Sequence, residues 1–382
     1  MFDIVDRFPD KAWLDETAAK LDQKLLYAVG KAREKQFIPY SANENGFNPN
    51  YYIHNWTNGF WPAMMWQMYL GTKNETYREE AIRTEEMLDA ALTDFKELYH
   101  DVGFMWLIHS AVRYKLEGNQ DSYDRAIFAA YTLAARFNPK GFIRAWNNEG
   151  RQGWAIIDCM MNLPLLYWAS DVTDDPRFRL IAMKHADTAM EHFIRADGSV
   201  KHIVVFDPMT GEELDDLGGQ GYAKGSSWSR GQAWALYGFT LSYLATGKQA
   251  YLNAAKRVAG YFIANVADDF IPRCDFRQPA QPDLKDNAAG SIAACGLLQL
   301  AKAVPECEAR PFYDAAVKML MAMEKHCTNW DNNVPAVLNK CTVAYHEYPG
   351  RHSTMNYADY YFVEAINMLR GQKLNFWLPT KD

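Results

Sequence analysis

Six almost wholly apolar runs recur along this chain, and five are followed by a short polar turn, an aromatic residue and a mixed-charge segment of helical period. The runs read GFWPAMMWQMYL from Gly59, GFMWLIHSAVRY from Gly103, CMMNLPLLYWAS from Cys159, GQAWALYGFTLSYL from Gly231, AACGLLQLAKAV from Ala293 and DYYFVEAINML from Asp359. The five turns read GTKNETY, EGNQDSY, DVTDDPRF, TGKQAY and PECEARPFY, so that Tyr77, Tyr123, Phe178, Tyr251 and Tyr313 open the second helix of each unit. A helix apolar around most of its circumference has to be buried, whereas one with a single apolar stripe keeps its other face in water. The repeat therefore predicts an inner layer of helices wrapped by an outer one.

The segment KAWLDETAAKLDQKLLYAVGKARE, from Lys11, is amphipathic and has no apolar run before it. Paired with the last run, it supplies the sixth outer helix and closes a ring. An open solenoid would need polar caps at its ends, but the last run stays apolar. The expected fold is thus all-α, an (α/α)6 barrel. No Pro/Gly/Ser-rich linker divides the 382 residues, so the expectation is a single domain over 1–382. The connections leading back into each inner helix are long and rich in Gly, Trp, Asp and Asn, unlike the short turns on the other side. Long loops gathered on one rim are where a site belongs.

Hydrophobic residues make up 49% of the chain and charged ones 23%, enough apolar material for a substantial core. A net charge of -7 and a pI near 5.8 argue against nucleic acid or an anionic membrane as a partner. A few local donors could still hold an acidic sugar. The six cysteines show no CxxC pairing, which predicts reduced thiols and no disulfide framework. The opening MFDIVDRFPDKAWLDE carries no secretory signal, and no run is apolar long enough to span a bilayer, so a soluble, cytoplasmic protein is expected, as a monomer or small homo-oligomer.

Several unusual residues fall at the starts of inner helices: Trp56 and Trp61, His100 and Asp101, Asp158, then Arg230 and Trp234. In a toroid of alternating helix direction all of these starts share one rim. Asp101 in YHDVGF and Asp158 in AIIDCMMNLP form the best acid/base pair, because cleaving an acetal-type link needs proton delivery and water activation. Either residue alone also reads as a helix N-cap. Asp158 has Ile156, Ile157, Cys159 and Met160 about it, and a carboxyl desolvated there beside a second one should have a raised pKa. In QGYAKGSSWSRGQAW, Arg230 offers a planar fork for a carboxylate and the tryptophans offer faces for a sugar ring, although a capping Arg packed on a Trp is the plainer reading. His202, in the strand-like KHIVVFDP, reads first as structural. No histidine spacing suits a metal, and the Gly/Ser segment lacks the ending of a phosphate loop, so neither metal nor cofactor is expected.

Together NWTNGFW, HDVGF, IIDCMMNLPLLYWA, FDPMTGE, QGYAKGSSWSRGQAWALYGF and AACGLL, in that order, resemble the unsaturated glucuronyl hydrolase family. The likeness runs from about Asn55 to DYYFVEA near the C-terminus. It implies an (α/α)6 barrel and a reaction without a glycosyl-enzyme: an Asp protonates C4 of a 4,5-unsaturated uronate and assists water addition at C5, and the resulting hemiketal collapses. Carried over by motif, Asp158 is the acid/base and Asp101 orients the sugar and tunes it. By the same carry-over His202, Gln220, Arg230 and Trp234 bind the uronate, and Trp56 and Trp146 line the pocket.

Two departures stand out: Asn58 where Asp is common, and DNAAGSIAAC in place of a serine-rich run. Arg351, His352 and Ser353 form no clear sulfate signature. The rival readings are an unsaturated rhamnogalacturonyl hydrolase of pectin fragments, a sugar 2-epimerase on the same barrel, which would need paired catalytic histidines, and a carbohydrate-binding toroid in which the two carboxylates are only caps.

Overall fold

Burial sorts the helices into the two layers that the repeat demands. The computed structural model describes residues 2–35, 37–49 and 52–380. The inner layer holds α2 (Phe60–Thr72), α4 (Val102–Trp106, continued through a π-helical turn at Leu107–Ala111 into Val112–Glu117) and α6 (Leu163–Thr173). It is completed by α8 (Ser229–Thr246), α10 (Asn287–Ala303) and α12 (Asn356–Leu369). The outer layer holds α1 (Lys11–Lys35), α3 (Glu75–Met87), α5 (Gln120–Ala135), α7 (Pro176–His192), α9 (Gln249–Asn265) and α11 (Glu306–His326). Every residue of α12 from Asn356 to Leu369 is buried, whereas α3 buries one stripe, Tyr77, Glu80, Ala81, Thr84 and Glu85. That difference is the layer assignment in physical form.

α12 packs against α10 on one side and α2 on the other, and α1 lies over α12 and α3. The ring is therefore closed as an (α/α)6 barrel, with one continuous apolar core from Phe2 to Leu378. Among the described residues no helix is long and apolar enough to cross a membrane. The six cysteines are free thiols, and only Cys307 is exposed.

Four of the inner-to-outer turns are built alike. A residue in the left-handed region ends the inner helix (Lys73, Gly118, Asp174, Gly247), and the next residue opens the outer one. In three of them, Asn74, Asn119 and Asp175, that residue accepts a backbone N–H of the new helix through its side chain. The fifth turn differs, and the sequence expectation for Tyr313 fails there. α10 ends at an extended Val304–Pro305, and α11 begins at once with Glu306 and Glu308 in its first turn, where acidic side chains suit the helix dipole. Tyr313 consequently lies two turns inside α11, beyond Pro311, instead of opening it.

On the opposite rim the connections carry short β structure. Two hairpins, β1–β2 (Pro39–Asn43 with Gly46–Pro49) and β3–β4 (Phe137–Asn138 with Phe142–Ile143), accompany a three-stranded antiparallel sheet. Its strands are β5 (Trp154–Ile156), β6 (Ile203–Phe206) and β7 (Glu213–Leu217), in register Ile156↔Ile203 and Ile203↔Leu217. The strand expected in KHIVVFDP is β6, and its sheet delivers the adjoining His202 and Ile157–Asp158 to one place through the bond from Ile157 N to His202 O.

Candidate active site

The inner helices begin at the loop-bearing rim, and the loop ends supply the polar groups. Trp56 opens a 3-10 turn (Trp56–Gly59) before α2, capped by the Asn55 side chain. Asp101 immediately precedes α4, Asp158 lies in the 3-10 turn Ile157–Met161 before α6, and Arg230 is the second residue of α8.

Neither carboxylate behaves as a cap. Asp101 occupies the cap position of α4 but its side chain accepts no bond from that helix; the Phe104 N–H that a cap would take goes to Asn162 Oδ1 at 3.0 Å. The Asn162 amide in turn donates to Asp101 Oδ1 at 2.8 Å and lies 3.4 Å from the Asp158 carbonyl oxygen. Gly103 makes this approach possible, because a Cβ there would lie 2.6 Å from Asn162 Oδ1. Asp101 and Asp158 are 6% and 8% exposed, so both carboxyls are largely desolvated. Asp101 is pushed well above the usual carboxylate range, first by burial and then by the Asp158 charge beside it, against the Asn162 bond and Arg136.

Asp158 Oδ2 lies 3.5 Å from His202 Nε2, and neither atom has a hydrogen-bond partner among the described residues. Both therefore face the same space with capacity unused. The backbone N–H of Gln220 donates to His202 Nδ1 at 3.0 Å, which leaves the ring proton on Nε2, on the Asp158 side. Gly219 permits this closure, with φ +57 and a Cβ position only 2.0 Å from His202 Nδ1. Gln220 itself is tied by its amide to the Val343 carbonyl at 2.9 Å. His100, fully buried, approaches Asp101 Oδ2 at 3.5 Å from behind, and burial holds its imidazole well below the usual range.

Arg230 departs from the simple fork read from sequence. It is 1% exposed; Nη1 donates to Asp286 at 2.6 Å and to the Thr342 carbonyl at 2.9 Å, and Nη2 donates to the Val343 carbonyl at 2.5 Å. The end of the fork is thus committed to the protein, while the Nε edge has no protein acceptor among the described residues. The guanidinium stacks on Trp228 at 4.6 Å, and Trp228 stacks on His202 with ring centroids 4.3 Å apart. On its other side Arg230 lies 5.7 Å from the Tyr357 ring, Tyr357 packs on Trp56 at 4.8 Å, and the Trp56 backbone bonds to the Tyr99 hydroxyl. Tyr99, whose own titration is raised by burial and by Asp101 and Asp158, completes a circuit around the cavity.

The structure thus brings Trp56, Asp101, Asp158, His202, Gln220 and Arg230 together. Trp234 is fully buried beneath them, in edge contact with Trp56 at 6.4 Å, and forms floor instead of wall. Trp146 stands apart on the flank, half-buried against Trp154 and the small apolar cluster under the sheet, with Arg151 over its ring. Asn58 anchors the loop, donating to the Tyr52 and Ile53 carbonyls as an Asp could not. Arg351 is engaged with the Tyr345 carbonyl and His352 accepts from the Lys285 N–H. Sequence reasoning missed Asn162, Tyr357 and Asp286. Asn162 had a signal: it lies one helical turn after Asp158, on the same face. No group of three or more His, Cys, Asp or Glu able to hold a metal occurs among the described residues.

Comparison with known proteins finds relatives along most of the chain. The model of Glycosyl Hydrolase Family 88 matches residues 31–374. The unsaturated glucuronyl hydrolase of Bacillus sp. (strain GL1) is 35% identical over 334 residues, covering 84% of this chain and 88% of that protein. The unsaturated chondroitin disaccharide hydrolase of Streptococcus pneumoniae (strain ATCC BAA-255 / R6) is 30% identical over 362 residues, covering 92% and 90%. A solved structure of unsaturated glucuronyl hydrolase from Bacillus sp. GL1, described as responsible for the degradation of glycosaminoglycan, superposes with a TM-score of 0.88 at 32% identity, over 95% of this chain and 99% of that one.

Proposed function

The chain belongs to Glycosyl Hydrolase Family 88, and from that membership we propose that it releases a 4,5-unsaturated glucuronic acid from the non-reducing end of lyase-generated glycosaminoglycan or related oligosaccharides. The observation that carries the reading is the pair of enclosed carboxyls, Asp101 lifted above its usual range and Asp158 against His202 Nε2, beside the linked rings of Trp228, Tyr357 and Trp56. Asp101, raised by burial and by the Asp158 charge beside it, retains a proton beyond the ordinary carboxylate range and shares it with Asp158. Asp158, with Oδ2 free of protein partners, delivers that proton to C4 of the vinyl ether. The cationic character that develops at C5 and the ring oxygen is met by water, whose proton returns to the Asp158 carboxylate. The C5 hemiketal then opens to a ketone, and the freed C1 hemiacetal expels the aglycone sugar. The donated proton is recovered and no covalent enzyme intermediate forms.

Asp101 shares the proton and orients sugar hydroxyls. His202 donates from Nε2 to the sugar, held in that tautomer by Gln220. Arg230 meets the uronate carboxylate with its Nε edge, as a charge fixed in advance by Asp286. Trp56 and Trp228 give the sugar its faces, Trp234 supports Trp56 from below, and Trp146 guards the flank. The enzyme works as one domain over 1–382, as a monomer or small homo-oligomer, and its free thiols suit the cytoplasm.

The test is a panel of unsaturated disaccharides made by chondroitin, hyaluronan, heparin and pectin lyases, followed by loss of the alkene's ultraviolet absorbance. Loss on glucuronate-bearing members is expected. Loss confined to the rhamnose-linked substrate, or on none, overturns the reading.

A further inference from the structure

Asp101 stands where a helix cap belongs and yet does not cap, and the group that takes its place comes from another helix. Asn162 is fully buried, and each end of its amide is used. Oδ1 accepts the Phe104 N–H of α4 at 3.0 Å, and Nδ2 donates to Asp101 Oδ1 at 2.8 Å while lying 3.4 Å from the Asp158 carbonyl oxygen. We infer that Asn162 is a positioning residue for the Asp101 carboxyl: it caps α4 in place of Asp101, and its amide fixes Asp101 Oδ1 as an acceptor, so that any proton on this carboxyl resides on Oδ2. The proposal rests on the assignment of Asp101 and Asp158 to the reaction.

The reasoning is one of hydrogen-bond capacity. An amide nitrogen can only donate, so the carboxyl oxygen it touches cannot carry the proton toward it. Were Asp101 itself the cap, one of its oxygens would be taken up by a backbone N–H of α4. With Asn162 doing the capping, the second oxygen is turned toward His100 Nε2 at 3.5 Å. The charged and titratable groups around Asp101 are Asp158 and Cys159 before α6, Arg136 at the end of α5, and Tyr99 and His100 on its own loop. Among the neighbours named here, Asn162 alone is an uncharged donor held by a second bond to a helix end, so it stabilises the ionised form without adding charge.

Replacing Asn162 by Ala removes a bond to an ionisable carboxyl, and such a loss shifts the titration upward by about one pH unit. The direction holds whichever protonation state of Asp101 is the working one. The experiment is kcat and kcat/KM for Asn162→Ala across pH on an unsaturated disaccharide that the wild type turns over. The expected result is a limb moved up by about one unit, kcat lower by about tenfold or more, and KM little changed. In an Asp101→Asn background the same substitution should have almost no further effect on kcat, because the residue it acts through is gone. Asn162→Asp keeps the acceptor for the Phe104 N–H, so α4 stays capped; a third carboxyl can only raise the pH at which the cluster loses its protons, and its profile must move up as well. A pH profile superposing on the wild type in both variants, or losses that simply add to those of Asp101→Asn, overturns the proposal. Failure of the wild type on every disaccharide would instead strike the assignment of the reaction.

Discussion

Replacing Asp101 by Asn should make the protein more stable and less active, and the gain in stability should grow with pH. In the unfolded chain this carboxyl titrates near the ordinary Asp value of about 3.9. In the native state burial and the Asp158 charge hold it well above that. Between the two values the native state keeps a proton that the unfolded state has lost. Stability therefore falls as pH rises through this window, and levels off once the native carboxyl has also ionised. The slope is at most about 1.4 kcal/mol per pH unit. With an unfolding entropy of about 2.1 cal/mol/K per residue and 382 residues, that is about 2 °C of Tm per pH unit. Asn cannot ionise, keeps the shape, and still accepts the Asn162 bond, so the variant lacks this slope. Differential scanning calorimetry of both proteins from about pH 4 upward measures the difference. Equal Tm differences at every pH would mean that Asp101 does not take up a proton on folding, and the physical basis of the proton-sharing pair would fall with it.

The remaining expectations concern the neighbours. Asp158→Asn should fold normally, bind substrate and lose about 10²- to 10⁴-fold in kcat by the alkene-absorbance assay, whereas retained turnover would remove it from the acid role. Arg230→Lys should raise KM and lower Tm together, since Lys loses the Nε edge and also leaves the buried Asp286 poorly paired; a KM change with unchanged Tm would contradict the Asp286 contact. Gly219→Ala should depress kcat by displacing His202, because its Cβ would fall 2.0 Å from Nδ1 and its φ is +57, and wild-type kinetics would show that the His202 tautomer is not fixed there.

What could be read from residues alone was whatever depends on periodicity and chain order. The alternation of wholly apolar and singly striped helices predicted twelve barrel helices, and the apolar last run, lacking a polar cap, favoured closure over an open solenoid. Convergence of Trp56, Asp101, Asp158 and Arg230 on one rim followed from helix direction alone. Tyr313 was misplaced because a local turn pattern was extended to a site where Pro305 ends the previous helix and acidic residues start the next. Arg230 was legible as an anion-binding group but not as one already half committed, since Asp286 and Thr342 lie 56 and 112 residues away. That Asp101 is held well above the usual carboxylate range was not legible, because its burial and the Asp158 charge beside it arise only in three dimensions.

Closure of the ring by α12 between α10 and α2 has a consequence for synthesis. As the chain emerges from a ribosome, the ten helices α2–α11 can pair in order, but the toroid stays split until the last inner helix is free to enter the gap. Tyr357, which joins Arg230 to Trp56 around the cavity, travels on that final helix. A nascent chain therefore holds both carboxyls, His202 and Arg230 well before it has a finished cavity, and its exposed seam is an apolar stripe on α2 and α10 awaiting a partner. The ring around the site is therefore completed only when α12 buries that seam.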